Sequence, residues 1–281
     1  MCIRDSESPV SLPASVEGGR TSTPRGDFAT LLARPNRVPR GLYLLVPGFT
    51  GSKEDFAPLL PLLAGDGWLA VTYDQRGQYE SFAGADADFS LEALAADACS
   101  LTGAFGVPRP CRLLGHSFGG LVAQTAALAD PSAWEQLVLL CTGPGAFDDE
   151  GKRADLATLG AALVQHPLDV VHELREQNNR RRGRPVPSAP VAAFQRTRFL
   201  ANSTASLRVF IDHLLGTPDR IDALAATGVP TSVIRGVDDD AWPFDVQEDM
   251  ARRLGTEVVV LPDAAHCPAV ENPTALAAVL R

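Results

Sequence analysis

The chain has 281 residues, enough to bury a sizeable core and typical of one large α/β domain carrying an insertion. Its 45% hydrophobic and 21% charged residues argue against a disordered chain, and a net charge of −9 argues against a dominant basic, nucleic-acid-binding surface. Five scattered cysteines (Cys2, Cys99, Cys111, Cys141, Cys267) form no Cys-x-x-Cys pair, no His-Glu-x-x-His occurs, and no apolar run reaches the roughly 18 residues of a membrane span.

In chain order, MCIRDSESPV lacks the apolar stretch of a signal peptide. Met1–Ser6 can be read from ATGTGTATAAGAGACAG plus further bases, which resembles a sequencing-library adapter. These six residues are therefore expected not to be natural protein, and the natural start is expected to be missing. Short strands are expected near Val10–Val16 and Asp27–Ala33, with turns between them. Gly41–Val46 (GLYLLV) is a short apolar run closed by Pro47-Gly48, as a buried strand is. Ser52-Lys-Glu-Asp55 is placed to cap a helix running through Phe56 to Leu63. A strand is expected at Trp68–Tyr73, a helix over Leu91–Phe105, a strand at Cys111–Leu114, a helix over Phe118–Ala129 and a strand at Leu137–Cys141.

Strand and helix thus alternate with short connections, which predicts an α/β fold with a mostly parallel sheet and helices on both faces. After Gly143-Pro144-Gly145 the alternation stops, and residues 146–216 hold helix-compatible stretches without a convincing strand. It resumes with a strand at Pro230–Arg235, a helix around Val246–Leu254, a strand at Glu257–Leu261 and a last helix from Pro273. The expected division is a tail (1–26), a core in two parts (27–145 and 217–281) and a helical cap (146–216) over one end of the sheet. Residues 151–210 carry ten Lys/Arg against four Asp/Glu, including the run Arg180–Arg184. Widening the window to 146–215 adds four acids, so the simplest reading is a solvated face, with a role toward an anionic substrate as the alternative.

The sharpest local signal is Gly115-His116-Ser117-Phe118-Gly119, a G-x-S-x-G sequence between a strand pattern and a helix pattern. A tight strand-to-helix reversal needs small residues on both sides, where neighbouring backbone passes close. It leaves the serine at the tip, beside the free N–H groups of a helix N-terminus.

With these features the chain resembles the α/β-hydrolase superfamily, in its cap-bearing serine branch, from about Asp27 to the C-terminus. The resemblance implies a cofactor-free enzyme acting on a small molecule, with Ser117 as nucleophile. A serine needs a base. Of five histidines, His116 adjoins the nucleophile on a tight turn, and His166, His172 and His213 lie in the insertion. His266, in LPDAAHCP (261–268), matches the family's loop before the last helix. The histidine needs a carboxylate. Arg235-Gly-Val-Asp-Asp-Asp-Ala-Trp-Pro243 is similar to the family's G-x-x-D-x-x-x-P and puts Asp239 at the matching place; Asp238 is second, and Asp148 is the position some relatives use. The oxyanion hole is expected from the backbone N–H groups of Phe118 and Phe49, with Pro47-Gly48 standing where many relatives have His-Gly. Asp74-Gln-Arg-Gly77 resembles the family's D-x-R-G, with Arg76 an ion-pair partner, and Glu271 and Pro273 match helix-start positions.

The implied activity is hydrolysis of a small or medium carboxylic ester through an acyl-enzyme. A serine rather than aspartate nucleophile argues against the dehalogenase and epoxide hydrolase branches. C–C bond hydrolase, aminopeptidase and perhydrolase chemistry on the same triad remain alternatives, as does a small-molecule receptor with a vestigial triad. No metal or cofactor, no nucleic acid and a cytoplasmic location are expected.

Overall fold

The computed structural model describes residues 11–281. The readings of Met1–Ser6 as adapter and of Val10 as a strand residue lie outside them. The described residues build one eight-stranded sheet in the order β1-β2-β4-β3-β5-β6-β7-β8. In chain order its elements begin with β1 Glu17–Thr23, β2 Gly26–Ala33, β3 Leu42–Val46, α1 Leu60–Gly65, β4 Leu69–Tyr73 and α2 Leu91–Thr102. There follow β5 Cys111–His116, α3 Phe118–Ala129 and β6 Trp134–Leu140, then α4 Glu150–Gln165, α5 Leu168–Arg181, α6 Ala189–Leu200, α7 Thr204–Gly216 and α8 Ile221–Ala226. The chain closes with β7 Thr231–Gly236, α9 Phe244–Arg253, β8 Val258–Leu261, α10 Pro268–Glu271 and α11 Pro273–Val279. β1 and β2 run antiparallel to their neighbours, and the other strands pair in parallel.

Alternation along the buried strands divides the core. Leu42, Leu44 and Val46 of β3 face a cluster with Leu94 of α2, Leu121 and Val122 of α3 and Met250 of α9. Tyr43 and Leu45 face the opposite cluster, with Leu60 of α1 and Leu276 of α11. Each such fully buried leucine contributes about 1.5–3 kcal/mol relative to exposure. No helix of the described residues is long and apolar enough to cross a membrane.

Two local expectations are corrected. Residues 11–16 form no strand; the edge strand is Glu17–Thr23, a polar and largely exposed segment that owes its structure to pairing with β2. The single helix expected from Phe56 to Leu63 is instead a 3₁₀ turn, Lys53–Phe56, followed by α1. Pro61 has no N–H to donate to the Ala57 carbonyl, so a continuous helix cannot close there.

Between β6 and β7 the chain forms only helices, four of them within the stretch expected to be helical and α8 beyond it. They are fastened to the sheet by polar bonds. Arg198 of α6, buried, donates to Asp55 Oδ1 at 2.6 Å and Ser52 Oγ at 3.2 Å. Ser206 Oγ of α7 donates to the Gly77 carbonyl at 3.0 Å and receives the Gln78 side-chain amide at 2.9 Å. A guanidinium removed from water needs such partners, since an unpaired one would carry the full desolvation cost.

Candidate active site

β3, β5, β7 and β8 all end at the same edge of the sheet, and the segments that follow them meet there. β5 runs straight into the reversal at Ser117, whose backbone sits at φ 53°, ψ −122°. A non-glycine residue held there costs about 1–3 kcal/mol and persists only where its surroundings enforce it. They do so here. Ser117 N–H donates to the Leu140 carbonyl at 2.9 Å, while the Ser117 carbonyl receives Gly120 N–H at 2.8 Å and Thr142 Oγ1 at 2.8 Å. The two glycines are explained by close approach. A Cβ on Gly115 would lie 2.3 Å from the Gly119 carbonyl oxygen, and one on Gly119 would lie 2.3 Å from that of Val46.

His266 stands in the loop after β8, and its Nδ1–H donates to Asp239 Oδ1 at 2.8 Å. Asp239, after β7, is buried, and both of its carboxylate oxygens are occupied. Oδ1 also receives Ala241 N–H at 3.1 Å, and Oδ2 receives the Gln247 amide at 3.1 Å. Burial alone would raise this carboxyl, but the His266 bond and charge, with Ala241 and Gln247, bring it below its usual value. Of the other carboxylates weighed in the sequence, Asp148 is exposed, and Asp238 lines a separate cavity. Ser117 and His266 line one cavity of about 260 Å³, together with Phe49 and Gly48.

The remaining histidines lie elsewhere or serve the loop. His166 is exposed, His172 is buried against Phe199, and His213 Nε2–H donates to the Phe89 carbonyl at 3.1 Å. His116 lines the same cavity, and its Nε2–H donates to the His266 carbonyl at 2.6 Å. Glu271 Oε2 receives the N–H groups on either side, Ala265 at 2.7 Å and Cys267 at 3.0 Å. The His266 loop is therefore held at three points. Glu271 reads from the sequence only as a helix-start residue, and the parts played by His116 and Gln247 are not legible there, because each depends on chain segments that meet only in the fold.

Burial pushes the His116 imidazole down to about 4, with the nearby His266 adding to the shift. The folded protein thus binds this proton less tightly than the unfolded chain does. Its contribution to stability is complete above pH 6.5, falls as pH drops toward 4, and is constant below that. The integrated loss is about 3 kcal/mol. His116→Gln keeps an N–H for the carbonyl and does not titrate, so its chemical-denaturation stability should fall less than the parent's between pH 6.5 and 4.5. Reading the difference between the two proteins cancels Asp74, whose carboxyl burial raises to about 6 and which acts with the opposite sign. Parallel curves would show that His116 is already protonated in the fold.

The Phe49 and Phe118 N–H groups donate to no acceptor among the described residues. Phe118 N–H is the first of α3, at the positive end of the helix. The loop holding Phe49 lies against the elbow: a Cβ on Gly48 would be 3.1 Å from the Ser117 Cβ. The Gln75 amide donates to the Pro47 carbonyl at 2.8 Å and braces this loop. Arg76 is an ion-pair partner, donating to Asp97 through Nε at 2.8 Å and Nη2 at 2.5 Å, outside the cavity.

The group His116, Cys141 and His266 brings three ligand-type atoms within 4.8 Å of one another. His266 Nδ1 and His116 Nε2 are already committed to Asp239 and the His266 carbonyl.

Known proteins agree with this architecture. The chain is 30% identical over 236 residues to the "Putative carbamate hydrolase RutD" of Variovorax paradoxus, covering 81% of this chain and 85% of that one. It is 24% identical over 254 residues to the "Karrikin insensitive 2 receptor CA" of Petunia hybrida, covering 84% and 89%. A crystal structure of a hydrolase from Pseudomonas aeruginosa PA01 superposes with a TM-score of 0.75 at 26% identity, covering 94% of this chain and 97% of that one. A family model described as "Alpha/beta hydrolase family" matches residues 43–279. The chain belongs to the alpha/beta hydrolase family.

Proposed function

We propose that the protein is a serine hydrolase that cleaves a small or medium carboxylic ester through an acyl-enzyme, with Ser117, His266 and Asp239 as its catalytic residues. The observation that carries this is the 2.8 Å bond from His266 to a buried carboxylate, facing a cavity that also receives the strained serine. The bond keeps the proton on Nδ1 and leaves Nε2 as the base. Nε2 takes the Ser117 proton as Oγ attacks the carbonyl carbon. The oxyanion is received by the N–H groups of Phe49 and Phe118, which is worth about 3 kcal/mol per donor. The tetrahedral adduct then collapses, and His266 returns its proton to the departing alcohol. Water, deprotonated by the same Nε2, attacks the acyl-enzyme, and Ser117 recovers its proton as the acid leaves. No step calls for a metal or cofactor. Helices α4–α7, within residues 146–216, act as the cap that closes the cavity.

A carbamate presents the same kind of acyl carbon, and relatives named as carbamate hydrolases make it the second substrate to test. The relative named as a receptor supports the alternative in which substrate binding matters and turnover does not. A panel of short and medium acyl esters, with carbamate, amide and C–C substrates alongside, separates these readings. We expect many turnovers per chain on esters. Release of no more than one product per chain, with Ser117 labelled by a fluorophosphonate, would favour the receptor.

A further inference from the structure

Three cations reach the cavity that Ser117 and His266 line: Lys152 of α4, Arg175 of α5 and Arg184 just beyond α5. Two of them are engaged. The Lys152 ammonium donates to the Asp240 and Ala241 carbonyls, and Arg184 pairs with Asp240 at 3.4 Å. The remaining carboxylates of the cavity wall are engaged too. Asp155 is held by Arg182, and Asp55 by Arg198 at 2.6 Å. Arg175 differs from its neighbours. It is half-buried, its guanidinium carbon lies 4.6 Å over the Phe199 ring, and it makes no hydrogen bond or ion pair among the described residues. Glu176, the nearest acid in the chain, makes no ion pair with it and accepts instead from the Asn179 amide at 3.3 Å.

Burial pushes the Arg175 guanidinium down to about 10, with Glu176 opposing the shift and Arg198 adding to it. A half-buried guanidinium with no anion bonded to it has lost part of its hydration, and an arriving anion makes up that loss. Its planar fork matches a carboxylate, which it can hold through two parallel bonds. The ring beneath it fixes the plane of the fork.

We propose that the ester cleaved by this site carries a carboxylate, and that Arg175 binds it, in the cavity where Ser117 attacks the carbonyl carbon. The proposal rests on the serine-hydrolase reading and narrows its substrate class. The carboxylate can belong to the acyl part or to the alcohol part of the ester, and two pairs of esters of matched shape distinguish these. Monoethyl glutarate is compared with ethyl 5-methylhexanoate, and carboxymethyl pentanoate with 2-methylpropyl pentanoate, each followed by acid release at constant pH.

In one of the two pairs, the parent should favour the anionic ester by at least about tenfold in kcat/KM. Arg175→Met should bring that ratio close to one, and Arg175→Lys should restore part of it. Glutarate should also compete with the neutral ester in the parent, which is informative even where a variant does not fold. Equal kcat/KM within both pairs for the parent would overturn this proposal alone, with the Ser117 mechanism intact. An unchanged ratio in Arg175→Met would overturn it likewise. A parent inactive on all four esters would overturn the serine-hydrolase reading and this proposal with it.

Discussion

Ser117→Ala should lose roughly 10⁴–10⁶ in kcat on p-nitrophenyl butyrate, down to the rate that binding and the oxyanion donors alone supply. The change removes the oxygen proposed to form the acyl-enzyme. It leaves the elbow in place, because the backbone bonds to Leu140, Gly120 and Thr142 do not involve the side chain. The loss should therefore appear in kcat, with the melting temperature almost unmoved. Equal hydrolysis by parent and variant would mean that another group attacks the ester.

Asp239→Asn should lower kcat about 10³–10⁴-fold, equivalent to roughly 4–5 kcal/mol of barrier. The side chains are of nearly equal size, but the amide donates where the carboxylate accepted. Facing an Asn N–H, His266 Nδ1 becomes the acceptor and the ring proton moves to Nε2, so the base cannot take the Ser117 proton. The substitution also removes the buried negative charge that stabilises the imidazolium. Asp148→Asn is the control: that residue is exposed and outside the cavity, and activity should stay within about threefold. A large loss in Asp148→Asn beside an active Asp239→Asn would move the acid to the other strand end.

The elements of the candidate site were legible where the signal is local. The Gly115–Gly119 elbow is a strand-to-helix reversal, and close approach within it dictates its own residues. Asp239 and His266 were singled out through the resemblance of two short strand-end segments to the family's, and in the structure a 2.8 Å bond joins them. The parallel sheet could be read from apolar runs buried on both faces, such as Leu42–Val46. β1 could not, because Glu17–Thr23 is polar and becomes a strand only by pairing with β2. The bracing of the His266 loop was hidden for a related reason: His116 and Glu271 act through backbone groups brought together by folding. The run Arg180–Arg184 read as a solvated face. In the structure Arg182 and Arg184 pair with Asp155 and Asp240, and with Arg180 they line a cavity of about 520 Å³. Arg175, which charge counting did not separate from that run, is the cation at the cavity that makes no hydrogen bond or ion pair among the described residues.

The most direct measurement is acid quenching during steady turnover of an ester that deacylates slowly, followed by peptide mass analysis. The acyl mass is expected on the peptide containing Ser117, present in the parent and absent from Ser117→Ala. Steady turnover with no adduct on that peptide, or with the acyl group on another residue, would contradict it.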